Sequence, residues 1–211
     1  MEIYSFETID STQRYLVEEI KSGRYKAPCA VIAQEQSSGV GSRDNSWSGG
    51  EGNFFASVAI DIDTLPEDLS LASSSIYFSF IMQKVLRAQG IDVWLKWPND
   101  FYQEGHKVGG TITQKMNQIL ICGIGINLKK SQNGYEALHS DIEALHLLHL
   151  YLNAVSKFPT WKQIFIEYEV EFELSRAFSV HIDSNKKSLQ DACLCKDGSL
   201  IIDGKKVFSL R

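Results

Sequence analysis

The five-residue run Lys96-Trp97-Pro98-Asn99-Asp100 restricts the fold of this chain more than any other stretch. The residues Val93–Trp97 have the apolar and aromatic composition of a β-strand. Pro98 ends that strand, because proline has no N–H group to donate to a sheet. A turn at Glu104-Gly105, followed by Lys107–Gln114, then predicts a β-hairpin. Polar residues directly after a strand are a common location for a binding site, so the sequence predicts a site at this turn.

The segments along the chain predict an α/β (α+β) fold. The helices cluster rather than alternate strictly with strands, which favours a mixed β-sheet with helices packed on it. Strands are predicted at Ala30–Gln34, Asn53–Asp61, Val93–Trp97 and Gln118–Leu128. Helices are predicted at Ser11–Ser22, Leu71–Gln89, Tyr135–Val155 and Thr160–Phe178. Gln36–Gly52 is predicted to be a glycine-rich loop, and short strands near the C-terminus predict a main domain of residues 1–180 and a small β domain of residues 181–211.

Composition excludes several classes of function. The 211 residues carry a net charge of −5, with 21 basic and 26 acidic residues, which argues against a basic nucleic-acid-binding face. Neither the four cysteines nor His139, His146 and His149 show a metal-binding spacing, and the cysteines indicate free thiols in a reducing cytosol. A signal peptide pattern and an apolar run of about 18 residues are both missing. We therefore expect a cytoplasmic protein with no nucleic-acid or membrane partner.

Lys107 is followed closely by Gly109 and Gly110. A lysine on a hairpin is by itself most often a solvated surface residue. Two glycines within a β segment, however, weaken the strand and usually mark a close approach of the backbone to another group. Together these residues predict a site for an anionic ligand, in which Lys107 neutralises a phosphate or a carboxylate.

The glycine-rich loop matches neither a Walker A sequence nor the Rossmann fingerprint. It can be a flexible surface loop, but Trp47 is costly to leave exposed there. With Arg43, it can instead close over a planar, anionic ligand such as a nucleotide. The segment Ser11-Thr12-Gln13 also has two interpretations, a plain helix cap or a binding site for a small polar head group.

Five motifs in this order resemble the biotin protein ligases (biotin–[acetyl-CoA-carboxylase] ligases). They are Asp10-Ser11-Thr12-Gln13, the loop of residues 36–47, Lys96-Trp97-Pro98-Asn99-Asp100, Lys107-Val108-Gly109-Gly110 and Gly123-Ile124-Gly125-Ile126-Asn127. The resemblance implies a fold like that of class II synthetases and biotin–lipoate ligases, with a truncated SH3-like β domain at the C-terminus. Because the motifs begin close to residue 1, it also implies the short form without a DNA-binding domain.

The resemblance implies an ATP-dependent ligase that works in two steps. The carboxylate of biotin attacks the α-phosphate of ATP, which gives biotinyl-5′-AMP and pyrophosphate. A lysine of the biotin carboxyl carrier protein of acetyl-CoA carboxylase, or of a related biotin-dependent carboxylase, then accepts the biotinyl group. Biotin, ATP and Mg²⁺ are the implied small molecules. Lys107 is the implied catalytic residue, because a fixed cation is needed between the carboxylate and the phosphate.

The resemblance also carries over two sets of site residues. The positions that match the family's biotin site are Ser11, Thr12, Gln13, Gln36, Gly39, Val40, Gly41, Ser42, Lys107, Gly109 and Gly110. The positions that match its ATP and adenylate site are Arg43, Asn45, Trp47, Asn99, Asp100, Lys107 and Asn127. The resemblance implies that Trp47 packs against the adenine and that Asp100 orients Lys107 or helps to hold the metal.

The glycine-rich loop departs from the family, which typically has Gly-Arg-Gly-Arg and a further arginine there. Val40, Ser42 and Asn45 replace those arginines, while Arg43 lies one position along. We hypothesise that this chain holds its ligand or adenylate less tightly than relatives with all of the arginines. Restoring an arginine at Ser42 and measuring release of the intermediate tests this hypothesis.

Two other functions remain open at this point. A lipoate–protein ligase shares the fold and the adenylate chemistry, although the Lys96-to-Asp100 motif favours biotin. A non-catalytic ligand-binding module is the other alternative, and the joint presence of Asn99, Lys107 and Asn127 argues against it.

Overall fold

The computed structural model describes residues 1–41, 46–129, 136–182 and 185–208. Within these residues the main sheet consists of β1 (Glu2–Ile9), β2 (Cys29–Val40), β3 (Ser46–Gly49), β4 (Phe54–Asp61), β5 (Trp94–Lys96), β6 (Asp100–Gln103), β7 (His106–Met116) and β8 (Ile119–Ile126). The strand order is β1-β2-β4-β8-β7-β6-β5, and β3 pairs with β2. The β1–β2 pair is parallel, whereas the other neighbours are antiparallel. The predicted mixed sheet is therefore confirmed.

Helices cover both faces of this sheet. They are α1 (Thr12–Lys21), α2 (Ser74–Ala88), α3 (Ala144–Val155) and α4 (Trp161–Glu171). Successive residues of a strand point to opposite faces. Ala30 and Ile32 of β2 accordingly belong to the large core that contains α2, α3 and α4. Cys29 and Val31 belong to a smaller core beneath α1.

The first helix begins and ends where the sequence predicts. Ser11 is its N-cap, and the Ser11 Oγ accepts a hydrogen bond of 3.4 Å from the backbone N–H of Arg14. Gly23 follows the helix with a φ of +74°, a conformation that glycine adopts without strain. The buried side chains of Leu16 and Ile20 fix this helix against the sheet. The N-terminal residues of α1 therefore have a defined position at the end of β1.

Two strands were not expected from the sequence. β1 was not predicted at all, and the segment Gln36–Gly52, predicted as a loop, contains the end of β2 and all of β3. The prediction was wrong because the polar end of β2 lacks an apolar alternation. The pairing of Gly39 with Trp47 shows that β2 and β3 instead gain their regular structure from each other.

Two predicted helices have different bounds. The helix predicted from Tyr135 begins only at Ala144, because the preceding backbone is bonded to the sheet. There the N–H of Leu138 donates to the Asn127 carbonyl at 2.8 Å, and the N–H of His139 donates to the Gln103 Oε1 at 2.8 Å. The helix predicted up to residue 178 changes after α4 into a 3₁₀ helix, Phe172–Ala177.

The C-terminal residues form two small sheets, as predicted. Their strands are β9 (Ser179–Ile182), β10 (Asn185–Ser188), β11 (Cys193–Leu194), β12 (Leu200–Ile202) and β13 (Lys205–Val207). Leu189 and Leu200 belong to the large core of the main sheet. The indole N–H of Trp97 also donates to the Gly198 carbonyl at 2.9 Å. The boundary at residue 180 stays a prediction, because the two parts share one core.

Among the described residues, no helix is both long enough and apolar enough to cross a membrane.

Candidate active site

A cavity of about 250 Å³ lies between the start of α1, β3 and one face of the main sheet. Its lining includes residues from β2, β4, β7 and β8 and from the turn before β6. The lining residues are Ser11, Thr12, Gln13, Gln36, Val40, Gly41, Trp47, Ser57, Asn99, Asp100, Lys107, Gly110, Thr111, Ile112, Gly123, Ile124, Gly125 and Asn127. The structure therefore brings most of the predicted site residues into one cavity.

We call one part of this cavity, formed by Ser11, Thr12, Gln13, Gln36 and Ser57, the amide end. The N–H of Thr12 donates to the Gln36 Oε1 at 2.7 Å, and the Thr12 hydroxyl donates to the same oxygen at 3.1 Å. The Ser57 hydroxyl in turn donates to the Thr12 Oγ1 at 3.0 Å. Three elements, α1, β2 and β4, are thereby held together by uncharged side chains.

The Gln13 side chain is buried at the amide end, and neither its nitrogen nor its oxygen has a hydrogen-bond partner among the described residues. The buried hydroxyl of Thr111 also lacks one. Gly123 makes room for the Gln13 amide, since a Cβ atom at position 123 would lie 2.6 Å from the Gln13 Oε1. An unpaired buried polar group costs about 1–3 kcal/mol, so these atoms of the cavity lining are candidates for hydrogen bonds to a polar ligand group.

We call the charged part, formed by Asn99, Asp100 and Lys107 with Lys96 behind Asp100, the ammonium end. The Lys107 Nζ lies 2.6 Å from the Asp100 Oδ1. The Asn99 side-chain amide donates to the Thr111 carbonyl, and the Thr111 N–H donates to the Asn99 carbonyl at 3.0 Å. The β6–β7 hairpin thus places one cation and one carboxylate beside the neutral cavity.

The indole of Trp47 forms part of the cavity wall between the two ends. A Cβ atom at Gly125 would lie 2.8 Å from the indole Cε2, and a Cβ atom at Gly39 would lie 2.5 Å from the Trp47 carbonyl oxygen. Both glycines are therefore required for Trp47 to reach this position. The Lys107 Nζ lies 6.0 Å from the centre of the Trp47 ring. The wall next to the cation is consequently planar and aromatic.

Residues 5–131 match the Biotin/lipoate A/B protein ligase family. The chain belongs to this family. It is similar along nearly its whole length to the biotin acetyl coenzyme A carboxylase synthetase of Helicobacter pylori, whose crystal structure contains bound biotinylated ATP. The TM-score is 0.94 and the identity 34%, with 98% of this chain and 99% of that chain covered. This match confirms the predicted fold class and the predicted resemblance to biotin protein ligases.

Other members of the family are more distant or longer. The chain is 32% identical over 127 residues to the bifunctional ligase/repressor BirA of Escherichia coli (strain K12). The matched region covers 57% of this chain and 38% of that protein. It therefore spans less than half the length of that relative. A further similar structure is the biotin protein ligase of Aquifex aeolicus in complex with biotin and ATP, with a TM-score of 0.77 and 20% identity. The match covers 100% of this chain and 96% of that chain. At this identity the match shows the fold alone.

Two glycines assigned to the biotin site lie outside the cavity. Gly39 packs beneath the Trp47 carbonyl, and Gly109 packs between strands, where a Cβ atom would lie 2.7 Å from the Gly125 carbonyl oxygen. Gly110, on the opposite face of β7, does line the cavity. Neighbouring residues of a strand face opposite sides, so only Gly110 of the pair lines this cavity, and a role of the Gly109 backbone in the biotin site stays a prediction.

Asn127 lines the cavity, but its side chain already has a partner, since its amide donates to the Glu136 carbonyl at 3.0 Å. Ser42, Arg43 and Asn45 lie outside the described residues, and their roles stay predictions.

Sequence reasoning assigned no role to six lining residues: Ser57, Thr111, Ile112, Gly123, Ile124 and Gly125. Gly123 and Gly125 could have been recognised from the sequence, because glycine inside a strand indicates close approach of another group. For Gly123 that group is the Gln13 amide, and for Gly125 it is the Trp47 indole. Ser57 and Thr111 had no such signal, since isolated hydroxyl residues are common in strands.

The described residues contain no cluster of three or more His, Cys, Asp or Glu side chains that can hold a metal ion. Asp100 is the single carboxylate among the described lining residues, and its two oxygens face the ammonium groups of Lys107 and Lys96. A metal ion held by the protein alone does not fit this donor set, because Mg²⁺ prefers several oxygen ligands.

The buried cysteines are not nucleophiles. Burial raises the pKa of the Cys122 thiol to about 12 and that of the Cys29 thiol to about 11. Both thiols are therefore protonated near neutral pH, and the thiol form is a poor nucleophile. The charged groups that the described cavity lining offers for chemistry are Lys107 and Asp100.

Proposed function

We propose that this chain is an ATP-dependent ligase that activates biotin as biotinyl-5′-AMP and transfers the biotinyl group to a lysine of a carrier protein. The observation that carries the proposal is the position of Lys107. Its ammonium group lies at the charged end of a cavity whose other end contains the buried Gln13 amide, which has no hydrogen-bond partner among the described residues. Biotin has a matching division, with an uncharged ureido ring at one end and a carboxylate at the other.

The amide end would bind the ureido ring. A ureido group has both N–H donors and a carbonyl acceptor, and the Gln13 amide has a donor and an acceptor that no other described residue occupies. The bonded Thr12, Gln36 and Ser57 side chains would hold this end in a fixed shape before the ligand arrives. A preformed site loses less conformational entropy on binding.

The ammonium end would serve the first reaction step. A carboxylate oxygen of biotin attacks the α-phosphorus of ATP, the bond from that phosphorus to the bridging oxygen breaks, and pyrophosphate leaves. Two anionic groups must approach each other, and a fixed cation lowers the repulsion between them. The Lys107 ammonium would contact both groups, and the Trp47 ring, 6.0 Å from that ammonium, would offer a flat surface for the adenine.

In the second step the amine of the carrier lysine would attack the carbonyl carbon of the adenylate, and AMP would leave. The proposed carrier is the biotin carboxyl carrier protein of acetyl-CoA carboxylase or of a related carboxylase, in the cytoplasm. Mg²⁺ would enter bound to the phosphates of ATP, as part of that substrate. The Trp47 wall would help to exclude water from the reactive anhydride.

The direct test is to incubate the purified chain with biotin, ATP and Mg²⁺ and to measure pyrophosphate and biotinyl-AMP, the latter by mass spectrometry. We expect both products only when biotin and ATP are present together. When a biotin carboxyl carrier domain is then added, the mass of that domain should increase by one biotinyl group. Lipoate in place of biotin is the control for the alternative ligand. Activity with lipoate but not with biotin would refute the proposal.

A further inference from the structure

The carboxylate of Asp100 lies between two lysine side chains. Its Oδ1 is 2.6 Å from the Lys107 Nζ, and its Oδ2 is 3.8 Å from the Lys96 Nζ. The strands account for this arrangement, since Asp100 pairs with Lys96 across the β5–β6 hairpin and with Gly110 on β7. Lys107, which the proposed function assigns to the ligand, is therefore also bound to a protein carboxylate.

The two lysines differ in their surroundings. The Lys107 side chain lines the cavity and is 42% exposed, whereas the Lys96 side chain is 11% exposed and does not line it. The Lys96 Nζ also lies 5.6 Å from the ring centre of Tyr102 and 5.9 Å from that of Phe178. Aromatic faces attract a cation, so the rings help to hold this ammonium group in place.

The backbone on both sides of Lys96 is fixed as well. The N–H of Leu95 donates to the Glu171 Oε1 at 2.6 Å, and the N–H of Trp97 donates to the Ser175 Oγ at 3.0 Å. These two side chains accept hydrogen bonds from the outer edge of β5, as the carbonyl groups of another strand would. Lys96 is thus held beside Asp100 by contacts that lie outside the cavity.

We propose that Lys96 is a positioning residue that keeps Asp100 neutralised, so that Lys107 can leave Asp100 for the anionic ligand. Without Lys96, transfer of Lys107 to a phosphate or carboxylate would leave the partly buried Asp100 without a close cation from the described residues. Such a carboxylate is costly, so it would compete with the ligand for Lys107. This inference rests on the proposed function and adds a residue that the ligand does not touch.

The test is a double-mutant cycle with Lys96→Met, Asp100→Asn and the double variant. We expect Lys96→Met to lower kcat for adenylate formation about tenfold, while the KM for biotin stays unchanged, because Lys107 remains bound to Asp100. With Asp100→Asn present, adding Lys96→Met should have almost no further effect, because no carboxylate is left to compete. Lys96→Arg keeps the charge and should retain most of the rate.

Lys115→Met is the matched control, because Lys115 is an exposed lysine of the same sheet, on β7, and lies outside the cavity. Thermal unfolding of each variant shows whether it folds, and Lys96→Gln replaces Lys96→Met if the latter does not. Two results would overturn the inference: a kcat for Lys96→Met equal to wild type, or the same loss from Lys96→Met with and without Asp100→Asn. A wild-type chain that forms no biotinyl-AMP would instead refute the proposed function.

Discussion

The two ends of the cavity differ in how their polar groups are satisfied. At the ammonium end each charge already has an opposite charge nearby, as the contacts of Asp100 with Lys96 and Lys107 show. At the amide end the buried Gln13 side chain has no hydrogen-bond partner in the part of the chain that the structure describes. A ligand therefore completes one end by adding hydrogen bonds, whereas at the other end it must take a cation from an existing ion pair. Changes at the amide end should alter binding of biotin, and changes at the ammonium end should alter the rate.

The largest effect is expected for Lys107→Ala. Removal of the ammonium leaves the repulsion between carboxylate and phosphate unscreened, and we expect kcat for pyrophosphate release to fall by about 10²-fold or more. The KM for biotin should change far less, because the amide end is intact. Steady-state kinetics at varied biotin concentration separates the two quantities. Turnover equal to wild type would remove Lys107 from its catalytic role.

Gln13→Leu should have a smaller effect than Lys107→Ala, and it should change the KM for biotin rather than kcat. The KM for biotin should rise by about tenfold, since one neutral polar contact is worth about 1 kcal/mol or slightly more. The free energy of unfolding without ligand should stay equal or increase, because the variant removes an unpaired buried amide. Calorimetry with and without biotin measures both effects.

Thr12→Val is the matched control at the same end of the cavity, because the Thr12 hydroxyl is already bonded to Gln36 and Ser57. That variant should lose about 1–2 kcal/mol of stability in the absence of ligand. If Gln13→Leu destabilised the chain as much as Thr12→Val, the distinction between paired and unpaired groups at the amide end would be wrong.

Gly198→Ala tests how far the ammonium end depends on the C-terminal strands. Gly198 has a φ of +75°, and an added Cβ would lie 2.9 Å from the Ile76 Cδ1. We expect a loss of about 1–2 kcal/mol in the free energy of unfolding from backbone strain. Because the Gly198 carbonyl accepts from Trp97, kcat should also fall a few-fold, while the KM for biotin stays constant. An altered KM with an unchanged kcat would contradict this link.

The smallest effect is expected for Asp197→Asn in the same turn. Burial raises the pKa of Asp197, but hydrogen bonds from Lys206 and Ser199 outweigh it and hold the pKa below its ordinary value. A carboxyl with a lowered pKa stabilises the fold above its unfolded-state pKa, and that contribution is lost as the pH falls through the folded-state pKa. Wild type should therefore unfold at a higher temperature than Asp197→Asn at neutral pH. The difference should shrink in acid below the ordinary pKa of aspartate, and a pH-independent difference would argue against this ionic contribution.

Several features of the fold and site follow from local sequence. Three features that depend only on neighbouring residues were predicted correctly. They are the N-cap of α1 at Ser11, the end of α1 before Gly23 and the hairpin around Glu104-Gly105. β1 was missed because its identity comes from pairing with β2. The role of Lys96 was likewise not visible, because the rings and the carboxylate around it come together only when β5, β6 and residue 178 pack.

The hydrogen bond from Trp97 to Gly198 joins residues that are 101 positions apart. The amide end, by contrast, takes its bonded network from residues 12, 36 and 57. On a ribosome, which makes the chain from its N-terminus, the network of the amide end would be available early in synthesis. The hydrogen bond from Trp97 to Gly198, which holds the turn that contains Asn99 and Asp100, would form only after residue 198 has emerged. We expect the nascent chain to form its site for a neutral ring well before the site for nucleotide chemistry, so that under the proposed function adenylate is made only after residue 198 has joined the fold.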